Sequence, residues 1–322
     1  MVEQVEIVVA SGKGGVGKST LTSVLAVELA KRGVKLVAAD ADAEAPNLSI
    51  TLGVREWDSV EPYYEGRIAY IREDLCTQCG ICKEVCPLDA VEVVDEKHVI
   101  NQWICEGCLT CSLACPEKAI RFIFRVEAGS IMVKRETGYG FPLVSSTIRP
   151  GRPNSGKLVT EVKNKAKTLL AGVGFILVDA AAGIGCQVIS SLTGAKIAVL
   201  VAEPTPASLS DLKRIHLLTR HFMVAPALVV NKYDINPEGL EDILDYAGRE
   251  DIPVLGMIPY DDTVPKAAST GKPLNIAYPE SPAAKAMVEV AEKVAEEILV
   301  DWRKWYSRYR PKRPAPYIPR IK

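Results

Sequence analysis

A glycine-rich loop near the start of the chain constrains the fold more than any other feature. Residues 12–19 read GKGGVGKS, which satisfies the pattern G-x-x-x-x-G-K-[ST]. The β-branched run 5–10 precedes this loop, and an apolar stretch from Thr20 to Arg32 with helical spacing follows it. Because such a loop between a strand and a helix cradles phosphate groups, the sequence predicts a nucleotide-binding βαβ unit at this end of the chain.

Each part of this loop has a role in binding phosphate and metal. Its glycines let backbone N–H groups turn toward phosphate oxygens, Lys18 reaches the β- and γ-phosphates, and the Ser19 hydroxyl ligates Mg²⁺. A glycine-rich turn with an incidental lysine is the less favoured alternative, since the flanking strand and helix are both present. We expect these residues to bind the nucleotide: Gly12, Lys13, Gly14, Gly15, Val16, Gly17, Lys18, Ser19 and Thr20.

A cysteine pattern that repeats at an offset of 29 residues marks a second, smaller module. Each copy reads C-x2-C-x2-C-x3-C-P, the run that holds [4Fe-4S] clusters in bacterial-type ferredoxins. A pair of zinc sites is the alternative, but zinc motifs usually separate two C-x2-C pairs by a longer loop. The repetition predicts an internal duplication that binds two clusters.

The resemblance to two-cluster ferredoxins also implies how the cysteines are shared. In those proteins the fourth cysteine of each run serves the other cluster. The resemblance therefore implies that one cluster is held by Cys76, Cys79, Cys82 and Cys115, and the other by Cys105, Cys108, Cys111 and Cys86. Between residues 73 and 120 there are nine acidic residues and three lysines, which favours docking to a basic redox partner and high solubility about equally.

The module interrupts a larger domain. After a Gly/Pro-rich bridge, apolar strands alternate with helical segments again, as in FILVD, KIAVLVAEP and ALVVNKYD. We predict an α/β P-loop NTPase fold whose mostly parallel sheet is flanked by helices, interrupted by a small α+β ferredoxin-like domain. The expected boundaries are 1–62 and 126–300 for the ATPase domain, 63–125 for the insert and 301–322 for a C-terminal tail.

The loop resembles a particular class of P-loop ATPases. KGGVGKS is similar to the deviant P-loop of the MinD, ParA and nitrogenase-reductase ATPases, and the resemblance covers about residues 5–300. It implies that ATP and ADP are the ligands, that an ATP-dependent homodimer forms, and that Lys13 reaches the phosphates of the partner subunit. The segment DADAEAPNL resembles the MinD switch I, which implies that Asp42 orients the attacking water. Lys13, Lys18 and Asp42 are thus the expected catalytic residues.

Further residues are assigned through the same resemblance. Asp179, which closes the apolar strand FILV, resembles the Walker B acid near Mg²⁺, and Asp40 at the end of the second strand is another metal candidate. A strand-end carboxylate that caps the next helix is the alternative for each acid. Asn231 resembles the asparagine that reads adenine, although Asp234 leaves the guanine-type pattern NKxD open.

Two features lie in or near the segment that corresponds to switch II of this family, which begins at Asp179. The segment reads DAAAG up to Gly183, where family members commonly carry two prolines, so we expect a less rigid loop. Cys186, beyond this segment, is the ninth cysteine. A small core residue is the favoured interpretation, and a transient two-thiolate site in a dimer is the alternative.

The C-terminal tail combines positive charge with aromatic residues. Residues 301–322 hold eight Lys or Arg residues and one acid, and the prolines at 311, 314, 316 and 319 favour an extended ending. Aromatic side chains at helical spacing favour packing on the protein's own core or contact with a membrane surface or partner protein about equally. The aromatic stripe comprises Trp302, Trp305, Tyr306 and Tyr309.

Composition limits the location and the partners. The chain has 322 residues, 39 Lys plus Arg and 40 Asp plus Glu, so its overall charge gives no reason to expect nucleic acid. We expect a cytoplasmic protein, because no signal peptide and no membrane-spanning apolar run are evident and the cysteine spacing points to metal rather than disulfides. The redox or iron–sulfur partner protein is unidentified.

Three functions fit these patterns. The favoured hypothesis is an ATP-gated electron-transfer protein, since ferredoxin-type ligation holds clusters permanently. The second is an iron–sulfur carrier or assembly ATPase, although related carriers use a C-x-x-C bridge and this chain has none outside the insert. The third is a MinD/ParA-like spatial organiser whose clusters sense the redox state.

Overall fold

A computed structural model describes residues 4–152, 155–170 and 172–312. These residues form two compact units. The first comprises the chain up to Val60, Met132–Ser146 and the residues from Gly156 onward, and the second comprises Glu61–Ile131 and Thr147–Ser155. From the sequence, the insert was predicted at 63–125. That prediction did not include the segment Thr147–Ser155.

The strands and helices alternate along most of the chain. The strands are β1 Gln4–Ser11, β2 Leu36–Ala41, β3 Ser59–Tyr64, β4 Arg67–Ile71, β5 Val91–Val94, β6 Lys97–Ile100, β7 Ile120–Phe124, β8 Glu127–Lys134, β9 Leu143–Ile148, β10 Gly174–Ala182, β11 Ile197–Ala202, β12 Ala225–Asn231 and β13 Val254–Ile258. The helices are α1 Lys18–Lys31, α2 Leu48–Thr51, α3 Ile81–Glu84, α4 Thr110–Ala114, α5 Ser155–Leu169, α6 Cys186–Leu192, α7 Pro206–Phe222, α8 Pro237–Arg249, α9 Thr263–Thr270, α10 Leu274–Ala277, α11 Pro282–Lys293 and α12 Trp302–Tyr309. A 3-10 turn at Tyr233–Ile235 and a π-helix at Val294–Leu299 complete these elements.

The large sheet has the order β13-β12-β11-β1-β10-β2-β9-β8-β3. The pairs from β13 to β9 are all parallel. Strand β1 is buried along almost its whole length because β-branched residues fill both of its faces, as expected for a strand covered by helices. The carboxyl ends of the parallel strands therefore meet at one edge, where the polar strand-end residues collect.

Helix starts in the first unit follow a common pattern. Thr205 and Ser281 each cap a helix through the side-chain oxygen, and a proline follows each as the first helical residue. The helix α1 begins differently, since Gly17 at its N-cap has a left-handed φ of 94°. Apolar side chains of α1, α11 and the central strands form the main core.

The second unit contains two copies of one β-α-β motif. Strands β4 and β7 pair antiparallel, as do β5 and β6. Adding 29 to the numbers of β4, α3 and β5 gives segments that overlap β6, α4 and β7, respectively. The backbone repeats as well, since Gly80 has φ 79° and its counterpart Leu109 has φ 77°. The sequence duplication is thus also a structural duplication.

The tail helix α12 packs on the first unit. Trp305 is only 7% exposed, and the rings of Trp302, Tyr306 and Tyr309 pack against the main core. The Tyr306 hydroxyl donates a hydrogen bond to the Met223 carbonyl at 3.0 Å. The aromatic stripe therefore covers the chain's own core, and its use as a membrane or partner-docking face is not supported. The predicted extended ending beyond residue 312 lies outside the described residues.

Candidate functional site

The glycine-rich loop lies at the carboxyl edge of the sheet, beside an open cavity of about 1610 Å³. At two positions of the loop, neighbouring atoms lie so close that only glycine fits. A Cβ atom on Gly12 would lie 2.4 Å from the Asp211 Cβ, and one on Gly17 would lie 2.5 Å from the Asn231 Nδ2. The predicted residues that line the cavity are Gly14, Gly15, Gly17, Lys18, Ser19, Thr20, Asp42 and Asn231.

Other predicted residues lie behind the cavity wall. Gly12 packs on α7, and Val16 is buried with its carbonyl accepting a hydrogen bond from Asn231 Nδ2 at 2.8 Å. Asn231 thus ties the end of β12 to the phosphate loop. Its Oδ1 accepts from the Lys232 N–H at 3.0 Å.

Lys18 is buried at the centre of the site. Its Nζ donates to the Ser11 hydroxyl at 2.9 Å. Burial lowers the pKa of Lys18, and the carboxylates of Asp179 and Asp42 oppose that shift. These contacts hold the ammonium in the loop, in reach of phosphate groups bound there.

Two carboxylates lie side by side on neighbouring strands. Asp40 on β2 is in register with Asp179 on β10, and both are almost fully buried. Burial raises the pKa of Asp179 to about 6 and raises the pKa of Asp40 well above its usual range, with the nearby Asp179 charge adding to the latter shift. A cation in the site would relieve this repulsion.

The two acids differ in their partners. Asp179 accepts hydrogen bonds from the Ser19 and Thr22 side chains, which joins it to the phosphate loop. Asp40 instead accepts from the backbone N–H groups of Asp42 at 3.2 Å and Leu48 at 3.0 Å, one on each carboxylate oxygen. Asp40 therefore orders the loop 41–48.

Asp42 lies at the start of that loop and faces the cavity. Its Oδ1 accepts from the Ala45 N–H at 3.0 Å, and burial raises its pKa. Gln187 on α6 holds the same loop, because its Oε1 accepts from the Ala43 N–H at 3.0 Å and its Nε2 donates to Glu44 at 2.8 Å. The loop is thus fixed to the segment that follows β10.

Part of the segment DAAAG lies in a strand, and the expected lower rigidity of this segment stays a prediction. Residues Ala180 to Ala182 extend β10, since alanine keeps the N–H that proline lacks. Gly183, with φ 97°, then donates its N–H to the Ser11 carbonyl at 3.0 Å. Cys186 is exposed, so the interpretation as a core residue was wrong.

Lys13 points away from the cavity, toward a carboxylate that the sequence reasoning missed. Its Nζ lies 2.8 Å from Glu203 Oε1, and Lys232 Nζ lies 3.1 Å from Glu203 Oε2. Although burial opposes ionisation of Glu203, the hydrogen bonds from both lysines lower its pKa. Glu203 follows the buried strand β11. An acidic residue at the carboxyl end of an apolar strand is the signal that identified Asp40, and it could also have identified Glu203.

The segment after β13 was also missed. Pro259, Tyr260 and Asp261 line the same cavity as the phosphate loop. They are distant from that loop in the sequence but lie at the same edge of the sheet. The Tyr260 N–H donates to Asp234 Oδ1 at 2.8 Å. Asp234 therefore supports this turn, and it is not among the residues that line the cavity.

In the second unit, eight cysteines surround two further cavities. One, of about 350 Å³, is lined by Cys76, Cys79, Cys82 and Cys115. The other, of about 360 Å³, is lined by Cys105, Cys108, Cys111 and Cys86. Every residue that lines the first cavity has a counterpart in the second at the 29-residue offset. The structure thus brings together the same cysteines that the ferredoxin resemblance groups.

Hydrogen bonds favour thiolates at these positions, whereas burial and the neighbouring thiols oppose them. The sulfurs of Cys86 and Cys115 each accept from the backbone N–H four residues later, at 3.3 Å. Burial and the adjacent Cys105 and Cys108 raise the pKa of Cys111 to about 11, so a cationic group is needed to stabilise several thiolates there. Among the described residues, no three or more His, Cys, Asp or Glu side chains form a group suited to a single metal ion.

Comparison with known proteins identifies the larger unit. The family model of the CobQ/CobB/MinD/ParA nucleotide binding domain matches residues 7–274. An uncharacterized protein of Methanocaldococcus jannaschii is 33% identical over 299 residues, which covers 91% of this chain and 97% of that protein. An iron-sulfur cluster carrier protein of Pyrococcus horikoshii is 27% identical over 307 residues, covering 91% and 86%.

A solved structure shows the same fold. The septum site-determining protein MinD of Pyrococcus horikoshii, complexed with Mg-ADP, superposes with a TM-score of 0.57 at 22% identity, covering 92% of this chain and 98% of that chain. No helix among the described residues is long and apolar enough to cross a membrane.

Proposed function

Because this chain belongs to the CobQ/CobB/MinD/ParA nucleotide-binding family, we propose that it is an ATP-hydrolysing iron–sulfur protein. In this proposal, nucleotide-dependent dimerisation controls electron transfer through two [4Fe-4S] clusters. The observation that carries it is the pair of cavities, each lined by four cysteines, in a chain that also has a complete phosphate loop.

The nucleotide site supplies phosphate and metal binding. The loop N–H groups and Lys18 bind the phosphates, and Ser19 with Asp179 holds the Mg²⁺ shell. The hydrogen bond between Ser19 and Asp179 supports this pairing. Asp40 contributes charge near the metal and orders the loop that carries Asp42, which positions the attacking water.

ATP rather than GTP is the proposed nucleotide. Asn231 lines the cavity beside the phosphate loop, where the base-reading residue is expected. Asp234, which would read guanine in an NKxD motif, already accepts the Tyr260 N–H and does not line the cavity. The family match supports a nucleotide ligand in general.

Lys13 acts on the partner subunit in this proposal. Its contact with Glu203 leaves it outside its own cavity, so it takes no part in the phosphate cradle of its own chain. In an ATP-bound dimer it would leave Glu203 and contact the phosphates of the second copy. The remaining contact between Lys232 and Glu203 would keep that buried carboxylate paired.

The cysteine sites fit two [4Fe-4S] clusters. A cubane takes one thiolate at each iron, and each cavity offers four cysteines, with backbone N–H groups already bonded to several sulfurs. A bound [4Fe-4S] cluster would supply one-electron oxidation and reduction. The N–H···S hydrogen bonds stabilise negative charge on the thiolates and so contribute to the potential.

Iron and acid-labile sulfide analysis of anaerobically purified protein tests this assignment. We expect about eight irons and eight sulfides per chain, as two cubanes require. Cys86→Ser should damage the cluster of the second repeat, because that cysteine lies in the second cavity. Two zinc ions without sulfide, or loss of the first cluster in Cys86→Ser, would contradict the assignment.

A cluster carrier or assembly ATPase is the second candidate. The name of the Pyrococcus horikoshii relative favours it, and Cys79, Cys108 and Cys186 are exposed in this chain. Transfer of iron and sulfide from the loaded protein to an apo-ferredoxin, faster with ATP than without nucleotide, would favour this function. Retention of both clusters through ATP turnover would favour electron transfer.

A further inference from the structure

Among the positions at which the two cysteine-lined cavities differ is one whose side chain in the first cavity contacts a ligand loop. His98 on β6 lines the first cavity, and its counterpart at the 29-residue offset is Ala69 on β4, which lines the second. Their places in the two repeats are equivalent, so the imidazole is a feature of one cavity alone. The duplication has therefore diverged here.

His98 makes two hydrogen bonds to one side chain. Its backbone N–H and its ring Nδ1 lie 2.9 Å and 2.8 Å from Gln78 Oε1. Because a backbone N–H only donates, the Gln78 atom is the amide oxygen, and Nδ1 must carry a hydrogen to bond with it. Gln78 lies between Cys76 and Cys79, in the loop that supplies ligands to the first cavity.

Gln78 has a backbone conformation that is unfavourable for a residue with a side chain. Its φ is 57°, in the left-handed region that few residues other than glycine adopt readily. The counterpart in the second repeat is Gly107, with φ 66°, which reaches this region freely. The second loop has a different contact, since the Gly107 carbonyl accepts from Arg67 Nε at 2.7 Å.

We propose that His98 is a positioning residue for the first cluster, acting through Gln78 to hold the Cys76–Cys79 loop in its ligand-presenting conformation. The inference rests on the proposed binding of two clusters. It makes the two sites unequal, because the first loop depends on a side-chain clamp and the second has glycine at the strained position. Loss of the clamp should therefore loosen one cluster and leave the other unaffected.

Single-cluster variants separate the two sites. Cys105→Ser leaves only the first ligand set intact, and Cys76→Ser leaves only the second. We would add His98→Ala to each and follow anaerobic iron release to a ferrous chelator. Loss of an outer-sphere partner typically costs about 10–100-fold in metal affinity, so release should be faster by a factor of that order in Cys105→Ser and unchanged in Cys76→Ser.

The otherwise unaltered chain provides a second measurement, should either serine variant fail to fold. In His98→Ala alone, about half of the iron should leave in a fast phase, as expected when one of two equal clusters is loosened. At the end of that phase, the EPR spectrum of two interacting reduced clusters should be replaced by that of an isolated cluster. A single uniform phase would overturn the inference.

Rescue distinguishes positioning from general packing. Gln78→Gly added to His98→Ala should restore slow release, because glycine adopts the loop conformation without the clamp. His98→Phe keeps a ring but has no ring N–H to donate to Gln78, and the backbone N–H donor remains in both variants, so His98→Phe should behave like His98→Ala. Failure of the glycine rescue, or equal effects on both clusters, would overturn the inference alone. A wild-type chain that does not hold two clusters would overturn the proposed function and this inference with it.

Discussion

Lys13 Nζ lies 2.8 Å from Glu203 Oε1, although the two residues are 190 positions apart in the chain. Glu203 is 7% exposed and also accepts from Lys232. The hydrogen bond to Glu203 raises the pKa of Lys13, so this lysine is a cation committed to a contact within its own chain. A role on a partner subunit requires that this contact break.

The two loop lysines should therefore have separable effects. Lys13→Ala should retain ATP binding but lose ATP-dependent dimerisation and turnover, because Lys13 lies outside its own cavity. Lys18→Ala should weaken binding itself, since Lys18 lies within the phosphate loop. Nucleotide titration and light scattering with ATP measure the two properties. Equal losses of ATP affinity in both variants would remove the proposed role of Lys13 on the partner.

Lys232 should assist the release of Lys13. Glu203 forms ion pairs with Lys13 and Lys232, so in Lys232→Met the ion pair with Lys13 is the one of these two that remains. Moving Lys13 away would then leave the buried carboxylate of Glu203 without a compensating charge from either lysine. We expect ATP-dependent dimerisation to weaken about fivefold, as typical of a partly exposed ion pair.

Analytical ultracentrifugation with ATP measures this effect. Lys285→Met, which removes a lysine paired with the exposed Glu280, serves as the matched control. Dimerisation that is unchanged or stronger in Lys232→Met would show that Lys232 has no such role.

The raised pKa of Asp179 should make stability depend on pH. The folded pKa of about 6 exceeds the ordinary value near 3.9, so the folded state binds more protons between these values. The contribution of Asp179 is therefore most favourable below about pH 4 and is lost as pH rises toward about 6.

Asp179→Asn removes the contribution of Asp179 to the pH dependence, whereas burial of Asp40 still raises the pKa of that carboxyl. Without nucleotide and Mg²⁺, the variant should gain stability relative to the wild type as pH rises from about 4 to about 6.5. Adding Mg²⁺ and ADP should stabilise the wild type more than the variant, since the carboxylate then faces a cation. Urea unfolding curves at several pH values test this, and a constant difference between the two proteins would contradict it.

Asp234 should support structure rather than select the base. Asp234→Ala removes the acceptor for the Tyr260 N–H, and loss of that hydrogen bond should destabilise the fold by about 1 kcal/mol. The proposed preference for ATP over GTP should not change, because Asp234 does not line the cavity. Competitive binding of the two nucleotides measures the preference, and a marked loss of discrimination would show that Asp234 reads the base.

Local patterns in the sequence predicted much of this architecture. The first strand and the first helix were predicted within about two residues of their observed boundaries, because β-branched runs and helical spacing are local signals. The grouping of the cysteines followed from the 29-residue offset and the ferredoxin resemblance, which fix spacing without knowledge of the packing.

Contacts between distant segments were beyond such patterns. Nothing near Lys13 in the sequence points to Glu203, and nothing near Ala43 points to Gln187. The aromatic stripe of α12 was left ambiguous because packing on the chain's own core and packing on a partner require the same spacing. Cys186 was misplaced because burial depends on the surrounding fold and not on the residue type alone.

The central claim is that nucleotide state controls the clusters, and a ligand shifts such an equilibrium only through a difference in interaction. Asp42→Asn should bind ATP, hydrolyse it slowly and accumulate as the closed dimer, since we propose that Asp42 positions the attacking water. EPR-monitored redox titration of this variant with ATP and with ADP is the most direct measurement. We predict a shift of about 60 mV in at least one cluster, equivalent to ~1.4 kcal/mol for one electron, and a smaller shift in Lys13→Ala. Superimposable titrations in both nucleotide states, with a fully loaded protein, would contradict the account.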